Sequence, residues 1–208
     1  PHVIGTEAFV TRSFQPNRTA TVGSAAAFVD VLYSPGVDLI ALGNTLLTGL
    51  IARDRIGGRL PGACAIANRV FEGFVEGLAE IYRGQYRHFG TPEVIATKAV
   101  WDSALYFGFN TLLFRHGLSG DARFLARIQP ELLTLRALQA RVQGRFRRGD
   151  PAPLLPAGNA TVEWGHIDWL MSAYYGAEEQ TDEAGVIHQL RSMLSSLERV
   201  GRQIEGVA

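Results

Sequence analysis

The chain has 208 residues, 47% of them hydrophobic and 19% charged, with a mean hydropathy near zero: a globular composition with length for one sizeable domain. Twenty basic and twenty acidic residues cancel, so no global field recruits nucleic acid or an anionic membrane. Cys64 is the only cysteine, which excludes an internal disulfide and a cysteine metal cluster; its alanine and isoleucine neighbours suggest a small buried apolar residue.

In chain order, two β-like runs come first, Glu7 to Phe14 and Thr19 to Val22, with Gln15-Pro16-Asn17 supplying the bend. Such a ribbon is marginal in water and must pack on helices or on something outside this chain. Gly23-Ser24-Ala25 reads as a turn and Tyr33-Ser34-Pro35-Gly36 as a loop. Val37 to Asp54 is apolar on nearly every side, which predicts a buried helix. Gly57-Gly58 and Pro61-Gly62 punctuate the chain. Ala63 to His88 then places Val70, Phe74, Leu78 and Ile81 on one helical stripe.

Thr91-Pro92-Glu93 is a helix start, and Gly117 the matching stop. Asp121 to Ile128 predicts a short helix, and Gln129 to about Phe146 a longer one ending in Arg145, Arg147 and Arg148, read as a solvated helix end. Pro151, Pro153 and Pro156 form an extended connector. Trp164 to Tyr175 reads as an aromatic helix, and Thr181 caps a last one to Gln203. The fold class expected is mainly α: a helical, bundle-like single domain over 1–208 with a small N-terminal two-stranded β element. Within it lie a ribbon (1–23), a loop segment (24–36), a helical core (37–150) and a C-terminal helical extension (151–208).

The stretch Arg18 to Asn44, RTATVGSAAAFVDVLYSPGVDLIALGN, resembles the second flavin-contacting segment of the FAD-dependent halogenases and related flavin monooxygenases. In that family a strand ends in Gly-Asp, followed by small residues and a Phe-x-x-Pro-x-x-Ser-x-Gly loop. The matching positions here are Gly23, Ser24, Phe28, Asp30, Tyr33, Ser34, Pro35 and Gly36. Ser24 stands where the family has aspartate, and Val31 where it has proline. Serine offers one neutral hydrogen bond in place of a charge-assisted one, and valine does not fix φ. Lys98 to Gly117, KAVWDSALYFGFNTLLFRHG, is similar to the helical C-terminal region of the same enzymes, so the likeness spans roughly the first 120 residues. The family's G-x-G-x-x-G strand-turn-helix, which holds the FAD pyrophosphate, has no match in this sequence. Lys98, the single lysine, lies in the wrong part of the chain to stand for the halogenase catalytic lysine.

Two other constellations carry candidate chemistry. Glu163 and His166 are three apart beside Trp164, Asp168 and Trp169, a spacing that suits a general acid/base pair in an aromatic pocket; a helix docking its tryptophans into the core is the plainer alternative. Asp102 beside Trp101, with Tyr106 one turn on, needs a partner in an apolar helix, such as Arg115, His116 or a backbone donor. It is either a proton acceptor or half of a buried ion pair. The pocket residues expected are Trp101, Tyr106, Trp164 and Trp169. His88, His116 and His188 are scattered, with no metal-binding spacing, so no metal is expected.

Two functions are implied by the resemblance. In the first, the chain has lost FAD binding and serves as a cofactor-free binding protein, cyclase or isomerase for an apolar or aromatic small molecule in natural-product biosynthesis. In the second, it is the C-terminal part of an FAD-dependent halogenase or monooxygenase. It then needs a separate FAD-binding part and exposes an apolar face toward it. FAD is a cofactor only in the second reading; homo-oligomerisation is open in both. The opening residues lack a basic region followed by an apolar run, and the most apolar stretch, 37–52, is shorter than a membrane span, so a cytoplasmic soluble protein is expected.

Overall fold

Pro16 and Asn17 reverse the chain as their turn chemistry predicts. The structure, a computed structural model, describes residues 7–155, 165 and 167–207. Helix makes up 70% of it, with a small antiparallel sheet near the N-terminus, which establishes the mainly α class. The chain divides into two compact units, the first ending at Tyr82 and the second starting at Arg83.

In the first unit the hairpin arms are bridged at Phe14 and Ala20, and Thr21 N–H donates to the Ser13 carbonyl at 2.8 Å. Gly23–Ala25 then leaves the ladder as one 3₁₀ turn, with Gly23 at φ +64°. Pairing resumes between strand β1 (Phe9–Val10) and strand β2 (Ala27–Phe28), Phe9 opposite Phe28 and Val10 opposite Ala27. The expected pairing of Glu7–Phe14 with Thr19–Val22 is therefore corrected for its outer half. The turn makes the second arm three residues longer, so Phe9 and Val10 meet partners beyond it.

Helix α1 (Pro35–Arg55) and helix α2 (Leu60–Tyr82) come next, joined through Gly57 at φ +74°. Phe14, Leu39, Leu42, Leu46, Phe71 and Val75 belong to their shared core. The buried face of α2 runs through Cys64, Ala67, Asn68, Phe71, Val75, Leu78 and Tyr82. The true stripe is rotated from the expected one: Leu78 is buried, while Val70, Phe74 and Ile81 flank the core half-buried.

The expectation of an all-round buried α1 is also corrected. Its buried residues are Pro35, Leu39, Leu42, Gly43 and Leu46, whereas Val37, Ile40 and Ile51 face solvent. At 21 residues α1 is long and apolar enough, by length and composition alone, to cross a membrane. The core helix of a soluble protein meets the same criterion.

The second unit is built on helices α3 (Pro92–Leu105), α5 (Ala122–Arg127), α6 (Gln129–Arg148), α7 (Asp168–Gly176) and α8 (Glu183–Glu205), with a short α4 (Leu112–Arg115) between α3 and α5. Between α3 and α4 the helix expected to run to Gly117 continues without a break, widening locally into a π-helical stretch at Tyr106–Thr111. Thr91 and Pro92 start α3 as predicted, and Asp121 caps α5 by accepting from Arg123 and Phe124 N–H. Asp182, rather than Thr181, caps α8, accepting from Gly185 N–H at 2.8 Å.

Trp101, Leu138, Val142, Phe146, Leu190 and Leu197 are at the centre of this unit's core. The α6–α8 crossing closes on Gly201: a Cβ there would sit 2.8 Å from Leu138 Cδ1. Residues 151–155 carry no helix or strand, as the proline connector predicts, and Pro156 lies outside the described residues.

Candidate functional site

The loop singled out by the sequence is fixed from both sides. Ala26 and Ala27 are buried behind the Gly23 turn, and Phe28 is half-buried in β2. Asp30 accepts the N–H of Leu32 at 2.9 Å, an Asx-turn that bends the chain at Val31 without proline. Tyr33 and Ser34 then take left-handed conformations at φ +62° and +54°, unusual for residues with side chains. Pro35, with its preset φ, opens α1 and is buried, while Gly36 is exposed. From α2, Tyr82 donates its hydroxyl to the Leu32 carbonyl at 2.8 Å, and its ring lies 6.4 Å from that of Tyr33. Tyr82 is a positioning residue that sequence reasoning missed; an aromatic hydroxyl on the buried face of α2 was the available signal.

FAD can be tested against this geometry. The Gly23 turn is open, since a Cβ there would meet nothing within 4 Å, and Ser24 is exposed. The start of a 21-residue helix lies within a few residues, although Asp38 in its first turn offsets its attraction for anions. No glycine-rich strand-turn-helix lies among the described residues. Among the described residues the loop offers an open glycine turn and an exposed serine hydroxyl, and no second dinucleotide-binding element accompanies them.

Asp102 belongs to a different setting. Its Oδ2 lies 2.7 Å from Lys98 Nζ one helical turn earlier, and Gln143 Nε2 donates to its Oδ1 at 3.0 Å. Lys98 also donates to Gln143 Oε1 at 3.3 Å, an atom that Gln85 Nε2 reaches as well. The ammonium sits 5.3 Å from the centre of the Phe146 ring. All four polar side chains are buried. Burial pushes the Lys98 ammonium below the usual lysine range, and the Asp102 charge and hydrogen bond oppose that shift. The partner is thus Lys98, not Arg115 or His116, and the arrangement is a buried ion pair braced by glutamines.

Trp101 is fully buried and donates Nε1–H to Gln139 Oε1 at 2.7 Å. Tyr106 is exposed, its ring edge-on to Phe107 at 5.5 Å, and Trp169 is half-buried against the second unit's core. The structure does not bring Trp101 and Tyr106 to a common pocket: one is packed on all sides and the other faces solvent. Glu163, Trp164 and His166 lie outside the described residues. Among the described residues no group of three His, Cys, Asp or Glu side chains is placed to hold a metal. Comparison of the chain with protein-family models, with curated proteins and with solved structures finds no match.

Proposed function

We propose that this chain is the helical, cofactor-flanking part of an FAD-dependent halogenase-like or monooxygenase-like oxidoreductase, active only with an FAD-binding part that brings the pyrophosphate cradle. The observation that carries this reading is the apolar surface around the flavin-like loop. Val31 is 78% exposed and Val37 68%, and Val22, Tyr33, Ile40 and Phe9 add to the same uncovered set. Exposed large apolar side chains on and beside one loop are what a docked partner would cover. An FAD-binding part would cover these residues, and it would complete the wall formed by the Gly23 turn and the start of α1.

The cofactor-free reading depends on an apolar chamber beside Trp101. That indole is fully buried among packed side chains, which weighs against a substrate site there.

The test is isolation of the protein from its native source under non-denaturing conditions, reading flavin absorbance in the eluted complex. Flavin in a one-to-one ratio with this polypeptide is the expected result, and Val37→Glu should strip it while leaving helical circular dichroism intact. A colourless, monodisperse species from the native source would reject the proposal.

A further inference from the structure

The first unit contains a second feature, unrelated to the flavin-like loop: a half-open apolar cavity of about 110 Å³ beneath the tip of the 14–20 hairpin. Phe14 and Ala20 wall it from the hairpin, Leu47 and Leu50 from α1, and Leu60 and Cys64 from α2. At the rim, Arg18 grips Asp54 with both ends of its fork, Nε to Oδ2 at 2.9 Å and Nη2 to Oδ1 at 3.3 Å. The base of the hairpin is held firmly, since Asn68 hydrogen-bonds both backbone groups of Phe14. Its tip is tied to the helices by the Arg18–Asp54 pair, whose arginine is largely in solvent. An ion pair that exposed is a weak closure.

We propose that this cavity binds one small apolar molecule, no larger than benzene, and that the hairpin tip with its Arg18–Asp54 pair forms one side of its mouth. Size and lining set the ligand class. An enclosed cavity of about 150 Å³ lined by aliphatic and aromatic side chains takes up benzene or xenon, and the smaller, half-open space here admits guests only up to that size. A charged guest would lose its hydration and find at the rim only two charges already paired with each other. Cys64 lies in the wall, and burial pushes its thiol above the usual range, so it is a contact surface and not a nucleophile. The site stands whether or not the flavin proposal holds.

The experiment is a methyl-resolved NMR titration of the full chain with benzene, and separately with xenon. Saturable shifts at the Leu47, Leu50 and Leu60 methyls are expected, with the second unit's Leu138 and Leu190 unmoved. Leu50→Phe fills the space with a ring and should weaken benzene binding about tenfold. Leu47→Phe is the second variant should the first fail to fold. Arg18→Ala should leave the affinity within about threefold, because the exposed rim pair adds little to the apolar wall. Absence of saturable shifts with both probes, or binding undiminished in the folded filling variant, overturns the proposal.

Discussion

The side chain of Asn68 on α2 satisfies both backbone groups of Phe14: the Phe14 N–H donates to Oδ1 at 3.0 Å, and Nδ2 donates to the Phe14 carbonyl at 2.9 Å. One amide thus stands in for a neighbouring strand and fastens the hairpin to the helices. Asn68→Ala should destabilise the first unit by about 2–4 kcal/mol, because two buried polar groups lose their partners. Urea unfolding followed by a probe in that unit would measure it. A loss within about 0.5 kcal/mol would place the backbone of Phe14 in contact with water instead.

Lys98 and Asp102 set up a second test. Lys98→Met strands a buried carboxylate and should cost about 3–5 kcal/mol, whereas Lys98→Met with Asp102→Asn removes both charges and keeps an acceptor for Gln143. The double variant is expected to be the more stable of the two in a denaturant titration. Equal destabilisation would mean that the charges are not coupled.

Acid should weaken one polar tie between α6 and α8. Arg191 Nε donates to Glu131 Oε1 at 2.7 Å, and that hydrogen bond holds the Glu131 carboxyl below the usual range, helped by a backbone hydrogen bond. The folded state therefore binds fewer protons than the unfolded chain just below the ordinary glutamate pKa. The contribution is present above that pKa and is lost as pH falls through the lowered folded value. Glu131→Gln should flatten this part of the stability–pH curve, read as thermal midpoint against pH. An unchanged acid limb would contradict the assignment.

Ser34 sits at φ +54° with no side-chain cap on α1. A left-handed residue other than glycine costs roughly 1–2 kcal/mol, part of which glycine returns as unfolded-state entropy. Ser34→Gly should thus raise stability by about 0.5–1 kcal/mol, and Ser34→Val should lower it. Thermal midpoints of the two variants, moving in opposite directions from the parent, are the readout.

Much of the helical layout is written locally. Thr91-Pro92, Asp121 and the Gly57 punctuation each act on the backbone within a few residues, so they can be read without knowing any distant neighbour. Burial cannot be read that way. Val37, Ile40 and Ile51 are as apolar as Leu39 and Leu42, and only the placement of α2 separates covered from uncovered. On α2 the core face passes through Asn68 and Cys64, residues that a hydrophobicity stripe passes over. Asp102's partner was legible in the i, i+4 spacing of Lys98, but candidates downstream on the same run pointed away from it. The Phe9–Phe28 pairing was hidden because three residues of the second arm stand outside the ladder.

That excursion frees Gly23–Ala25 from the hairpin's own accounting. Among the described residues Ser24 has no cross-strand neighbour, so a change of residue there leaves the rungs on either side intact. Chemistry at this corner could drift, or be re-engineered, without asking the scaffold's permission.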